Sequence, residues 1–313
     1  MEICAAIKQK SLELGFDLVG ISDAGPIGED ESQILRQWVK NGHFAGMEYM
    51  ARNLDKRIDP KKLFENAASV ICVGLIYKPN FDTKCPKPGL CKVSDYAVYN
   101  DYHDYLKQRL HLLADFIHEI ALPDNIQTKV CVDTAPVAER SLAVRAGLGF
   151  IGKNHMLINP DCGVEIFLGT IITDLELMPD EPVRSECGNC TKCVDACPTG
   201  ALGKDGCFDA NKCISYLTIE NKSEIPHELA PKIGRSLYGC DMCVHACPYH
   251  QKAPAMKECG LECRPGNMWL DPKEILEWDQ QTFDAHFSAT PVERIGLERL
   301  KRNARVCLES IGT

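Results

Sequence analysis

The chain has 313 residues, 45% of them hydrophobic and 25% charged, ordinary values for a globular protein with a large core and more than one domain. A formal net charge of -9 weighs against a surface that is basic all over and binds nucleic acid everywhere, without excluding a local basic face. No apolar run reaches the length of a membrane span, and the amino-terminal MEICAAIKQKSLELGFDLVGIS lacks a basic segment leading into an apolar one, so a cytoplasmic protein with no membrane partner is expected.

Residues 2–15 read as a helix, DLVGIS as a strand and residues 29–42 as a second helix. SVICVGLIY (69–77) is a continuous apolar run rich in β-branched residues, the pattern of a buried central strand. Pro79, Pro86, Pro88 and Gly89 mark residues 79–95 as a loop. Helical periodicity returns over 103–121. TKVCVD (128–133) reads as a second buried strand, and 136–146 as a helix with Pro136 near its start. HMLINP and VEIFLGTIITD read as two more strands. Helices and strands alternate, which predicts one α/β domain over residues 1–180. The acidic, proline-bearing LELMPDEPVRSE (175–186) marks its end. A cysteine-rich domain over 181–264 and a helical tail over 265–313 follow.

Gly147, Gly149 and Gly152 match G-x-G-x-x-G, but a helix precedes them where a dinucleotide site needs a strand. They are expected to cap that helix and make a tight turn.

Nine of the eighteen cysteines crowd into residues 187–247. In a chain without a secretion signal this points to metal or cluster binding, not disulfides. CGNCTKCVDACP places Cys187, Cys190, Cys193 and Cys197 at C-x2-C-x2-C-x3-C-P, the four-iron run whose fourth cysteine serves a second cluster. Structural zinc is the rival reading of any C-x2-C, and the full spacing argues against it. GCDMCVHACP supplies Cys240, Cys243 and Cys247. By the crossing rule, Cys187, Cys190 and Cys193 take Cys247, while Cys197 joins Cys240 and Cys243. The eighth ligand comes from Cys207 or Cys213, with Cys213, which opens CISYLTIE, favoured. Two four-iron four-sulfur clusters in one module form an electron path, and the attached α/β domain implies an acceptor site.

VCVDTAPVAERSLAVRAGLGFIGKN (130–154) is the most informative stretch of that domain. Asp133 ends a strand, where ligands of α/β sheets bind. A half-buried carboxyl there is expected to have a raised pKa suited to proton donation. The competing reading is a helix N-cap. Arg140, Arg145, Lys153 and Asn154 either hold a cofactor's amide or phosphate groups or form a solvated face.

The stretch VDTAPVAERSLAVRAGLGFIGKN, INPDCGVEIFLGTIITD, both cysteine runs, CISYLTIE, GMEYMARNLDKRIDP (46–60) and RIGLERLKRNARV together resemble the epoxyqueuosine reductases over nearly the whole chain. The resemblance implies an N-terminal α/β corrinoid-binding domain like that of reductive dehalogenases, then a two-cluster ferredoxin-like domain and a short helical tail. It implies a base-off cobalamin fed by two clusters. The reaction would be reduction of epoxyqueuosine to queuosine at the wobble position of tRNA. An external donor of the flavodoxin or ferredoxin type and a monomeric state are expected with it. By the same carry-over Asp133 is the proton donor, Cys213 is a cluster ligand, and Arg57, Tyr96, Asp133, Ser215 and Asp241 contact cobalamin.

The sequence also departs from the family pattern. The final helix, which in the family commonly leads into helical repeats that grip tRNA, ends at Thr313. VSDYAVYNDYH puts Asp95, Tyr99 and Asn100 where the family has serine–arginine–tyrosine and a glycine, so an arginine expected near the substrate mouth is lost. Cys85 with Cys91, and Cys259 with Cys263, are additional pairs that bind metal, form a redox disulfide or stay as spare thiols. Arg294, Arg299, Lys301, Arg302 and Arg305 either meet tRNA phosphates or form an exposed helix face with pairs such as Glu298–Arg302. Two other activities fit these features: a corrinoid reductase of a small organic substrate, and a non-enzymatic iron–sulfur electron carrier.

Overall fold

The computed structural model describes residues 2–257 and 260–312. Its strands are β1 (Leu18–Asp23), β2 (Ser69–Ile76), β3 (Cys91–Val93), β4 (Thr128–Cys131), β5 (Phe150–Ile151), β6 (Leu157–Ile158), β7 (Ile166–Thr173), β8 (Ser236–Tyr238) and β9 (Trp269–Leu270). The largest sheet has the order β1-β2-β7-β4, and every neighbouring pair in it is antiparallel.

β2 is central and buried at every position, as its unbroken apolar sequence predicts. Successive side chains of a strand point to opposite faces, so Ile71, Val73 and Leu75 enter one core while Val70 and Cys72 enter another. The first core packs against the helix Tyr102–Ile120 through Leu106, Leu110, Leu113 and Ile117, one per turn. The second packs against Leu142 and Ala143 of the helix Glu139–Arg145. That helix starts three residues after Pro136. It stops at Gly147, whose φ is 76° and whose N–H reaches Val144 O at 3.0 Å. A Cβ on Gly149 would meet Ile158 O at 2.2 Å, so the glycines serve helix ending and close packing, as expected.

Two expectations are corrected here. The strand TKVCVD is an edge strand, with Lys129 exposed and Thr128 and Val130 only half-buried, and the outward lysine is a common guard of such an edge. The loop 79–95 contains β3, which lies between β8, parallel to it, and β9, antiparallel to it. This small sheet joins a strand from the first 180 residues, one from the cysteine-rich segment and one from the tail. One core runs through all three, including Val73, Val93, Leu237, Leu270 and Leu300.

The tail is helical, with Pro272–Glu277, Gln280–Phe287 and Gly296–Gly312. Among the described residues no helix is long and apolar enough to cross a membrane.

Candidate functional site

Cys187, Cys190, Cys193 and Cys247 line one cavity of about 260 Å³ together with Lys153, Asn154 and Tyr249. Three come from the first run and one from the second, the grouping that the crossing rule predicts. The backbone N–H of Lys153 points at Cys187 Sγ at 3.5 Å. Its Nζ donates to Gly188 O at 2.8 Å and Cys190 O at 3.0 Å, so Lys153 fastens the first run in place.

The remaining thiols form a second group. Cys213 feels the charge of Cys197, Cys240 that of Cys213, and Cys243 that of Cys240, Cys213 and Cys193. The last pair lies on two helices that pack together, Lys192–Asp195 and Met242–His245, which links the two groups. Burial pushes the Cys240 thiol up to about 12 and raises that of Cys243 as well, because a thiolate shielded from water is disfavoured. Cys207 stands apart, its Sγ 3.3 Å from His43 Nδ1. Two quartets of thiols, one around a cavity with an N–H donor aimed at sulfur, fit two iron–sulfur clusters.

Asp133 follows β4 with φ at 48°, a conformation uncommon for a non-glycine residue. Its N–H donates to both oxygens of Glu139, at 3.1 and 3.2 Å, and this holds the turn. The carboxylate keeps 56% of its side-chain surface open while protein crowds its other sides. Oδ2 lies 3.0 Å from His103 Nε2, and His103 Nδ1 lies 2.6 Å from Asp101 Oδ1. Asp101 also caps the helix Tyr102–Ile120 by accepting from His103 N at 2.9 Å.

The electrostatics reverse the expected protonation. The His103 hydrogen bond holds Asp133 below its ordinary pKa. Burial opposes a charge on His103, but its bonds to Asp101 and Asp133 outweigh burial and raise it to about 9. Burial, reinforced by the Asp133 charge, lifts Glu139 to about 8. At neutral pH the protons therefore reside on His103 and Glu139, with Asp133 an anion. Asp133 is not an N-cap either, because the following helix begins at Glu139 and is preceded by Ala138. Sequence reasoning missed His103 and Glu139. The available signals were a histidine two residues after a capping aspartate and a glutamate six residues after Asp133.

Arg57 closes the short helix Leu54–Ile58. It is 9% exposed, its Nε has no hydrogen-bond partner, and it feels the charges of Tyr49, Asp133 and Glu139. Such a buried, unspent donor fits a ligand bearing amide carbonyls. Tyr96 sits edge-on to Tyr102 at 6.4 Å between ring centres, and its hydroxyl is 3.4 Å from that of Tyr238. Ser215 follows Cys213 in the helix Ile214–Ile219. Asp241 turns into a different group: Oδ2 accepts from Lys92 Nζ and from Asp95 N, both at 3.0 Å. With Cys240 and His245 it lines a second cavity of about 220 Å³.

Other expected residues serve the fold. Asp95 is 2% exposed and paired with Lys92 at 2.6 Å and His245 at 2.7 Å, so it lies in the interior and not at a substrate mouth. Arg140 donates to His155 O at 3.0 Å, and Arg145 pairs with Asp23 and binds Gly25 O at 2.8 Å. In the tail, Arg294 pairs with Glu220 and Arg299 donates to Ile219 O at 3.0 Å. Arg302 does not pair with Glu298. It turns inward, 5% exposed, and donates to Leu217 O at 2.9 Å, Asn221 O at 2.8 Å and Ser223 O. All described cysteines are free. Cys85 Sγ accepts from Arg235 Nη2 at 2.7 Å, Cys91 is hydrogen-bonded to Cys307, and Cys263 bridges to Tyr99. Cys259 lies outside the described residues.

Two thiol quartets, with an open carboxylate–imidazole pair at the end of a strand of the antiparallel sheet, mark an iron–sulfur oxidoreductase. Comparison with known proteins gives its family. Residues 186–250 match the 4Fe-4S double cluster binding domain, and residues 57–134 match the family described as epoxyqueuosine reductase QueG, DUF1730. The epoxyqueuosine reductase of Leadbetterella byssophila is 41% identical over 302 residues, 95% of each chain. The chain belongs to the epoxyqueuosine reductase family. Its fold matches that of an epoxyqueuosine reductase crystallised with an epoxyqueuosine-modified tRNA-Tyr stem loop (TM-score 0.90, 32% identity, 99% of this chain and 82% of that one). It also matches the Bacillus subtilis enzyme, solved with its catalytic aspartate loop swung out of the active site (TM-score 0.89, 30% identity, 99% and 82%). A B12-dependent reductive dehalogenase shares the fold at 17% identity (TM-score 0.50, 96% and 36%).

Proposed function

We propose that this chain reduces epoxyqueuosine to queuosine at the wobble position of tRNA. It does so in the cytoplasm, as a monomer, with electrons from an external low-potential donor of the flavodoxin or ferredoxin type. Two electrons and two protons remove the epoxide oxygen as water and leave a carbon–carbon double bond. The observation that carries this reading is the placement of Asp133: open to a ligand, hydrogen-bonded to a doubly anchored imidazole, and close to the unspent Arg57 donor.

In this reading Cys187, Cys190, Cys193 and Cys247 hold one four-iron cluster, and Cys197, Cys213, Cys240 and Cys243 hold the other. The helices Lys192–Asp195 and Met242–His245, which carry Cys193 and Cys243, pack together, so the two clusters would be neighbours. Arg57, Tyr96, Asp133, Ser215 and Asp241 would hold cobalamin. For Asp241 the reach would be through the second cavity, since its Oδ2 is already bonded within the protein. When bound, cobalamin would supply a low-valent cobalt able to reduce the strained carbon–oxygen bond.

The protein's own part is the proton. Asp101 anchors His103 Nδ1, so Nε2 presents its proton to Asp133. As charge grows on the epoxide oxygen, His103 passes its proton to the Asp133 carboxylate, which hands it to that oxygen, leaving His103 neutral and Asp133 again an anion. Glu139 keeps the Asp133 backbone in its left-handed turn, so the carboxylate points outward.

The test treats tRNA bearing epoxyqueuosine with reduced, cobalamin-loaded protein and analyses nucleosides by mass spectrometry. Queuosine should replace epoxyqueuosine. Unchanged epoxyqueuosine from protein that carries both clusters and the corrin overturns the reading.

A further inference from the structure

Glu165, just before β7, His245 at the end of the helix Met242–His245 and His250 in the helix Pro248–Lys252 come together. Each offers one ligand atom, and these atoms lie within 4.8 Å of one another. Glu165 is 1% exposed. Its Oε2 is 2.7 Å from His250 Nδ1, yet Oε1 is buried with no hydrogen-bond partner. A buried carboxylate with an orphaned oxygen is costly unless a cation meets it.

The surroundings suit a cation. His245 Nε2 is fixed by Asp95 Oδ2 at 2.7 Å, which leaves the other ring nitrogen for a metal, in the carboxylate–histidine–metal arrangement common around bound ions. The His245 and His250 ring centres are 4.8 Å apart. Two imidazoles and a carboxylate are the donor set of zinc and of non-haem iron(II). Tetrahedral ligands with bonds of about 2.0–2.1 Å stand about 3.4 Å apart, so side-chain rotations of about an ångström close the site.

We propose that Glu165, His245 and His250 form a mononuclear site for a divalent transition ion of the zinc or iron(II) class, separate from the two thiol quartets. The ion ties the entry of β7 to the second cysteine run.

The test uses full-length protein with both clusters reconstituted anaerobically, equilibrated with Zn²⁺ and desalted. Zinc, iron and sulfide are then counted by elemental and chemical analysis. About one zinc per chain should be retained with cluster iron unchanged. Glu165→Gln and His250→Gln, both distant from the thiol ligands in role and close to isosteric, should each weaken zinc binding about tenfold or more while iron and sulfide stay at the wild-type level. Retention of no zinc at full iron content overturns the proposal. So does equal retention by wild type and both variants, or zinc that rises only as iron falls.

Discussion

His103 Nε2 and Asp133 Oδ2 stand 3.0 Å apart across 30 residues of sequence, and this contact decides which group carries the proton. The imidazole is raised to about 9 and the carboxyl lowered. In the proposed reaction Asp133 is therefore charged at rest and draws its proton from His103 behind it.

Replacing Asp133 with Asn should leave both clusters intact and, with corrin supplied to saturation, lower single-turnover conversion by about a hundredfold or more. Nucleoside mass spectrometry reads the rate, and visible spectra read the cofactors. Turnover near the wild-type level would reduce Asp133 to a turn residue.

The pH profile follows from the pair. His103 has an ordinary value of 6.5 and a folded value of about 9. Its contribution to stability is full below about 6.5 and is lost as pH rises through 9. Asp133 is lowered from 3.8, so its contribution is present above that value and lost as pH falls through the folded one. Activity should fall on an alkaline limb near pH 9. His103→Gln should lower the rate and abolish that limb, whereas a limb of unchanged position would exclude the relay.

Glu139 titrates in the opposite sense to Asp133. Its ordinary value is 4.5 and its folded value about 8, so the folded state holds a proton that the unfolded chain releases, and stability declines as pH climbs from 4.5 to 8. Glu139→Gln removes that slope while keeping an acceptor for the Asp133 N–H. Its melting temperature relative to wild type should improve between pH 5 and pH 8. Parallel curves would show that Glu139 ionises freely.

Cys213→Ser should cost one of the two clusters, about half the iron and sulfide, while Cys207→Ser keeps both. Equal losses, or loss in Cys207→Ser alone, would reassign the eighth ligand.

Arg302→Ala should destabilise the protein by about 3 kcal/mol, because it strips a buried charge-assisted set of hydrogen bonds from Leu217, Asn221 and Ser223. Chemical denaturation measures this. A stable variant with weakened tRNA binding would mean that Arg302 faces phosphate instead.

Much of the framework was legible because it is written in local spacing. The unbroken apolar run of β2, the cap at Gly147 and the gathering of Cys247 with Cys187, Cys190 and Cys193 at one cavity all follow from short stretches of sequence. What was illegible depends on distant partners. TKVCVD looks fully buried, yet β4 lies at an edge because, among the described residues, no strand other than β7 pairs with it. Three residues of β3 form a strand only because β8 and β9 flank them. The direction of the Asp133 shift could not be read without His103. Asp95 looked like an altered mouth residue until Lys92 and His245 enclosed it.

The small sheet has a physiological corollary. β3 is stitched to β8 on one side and to β9 on the other, so collapse of the thiol segment after oxygen strips its iron tears at the same fabric that supports the amino-terminal half and the tail. Oxidative injury should thus yield a wholly unravelled chain that proteases clear. It should not leave a well-formed but inert impostor occupying tRNA and shutting out intact copies.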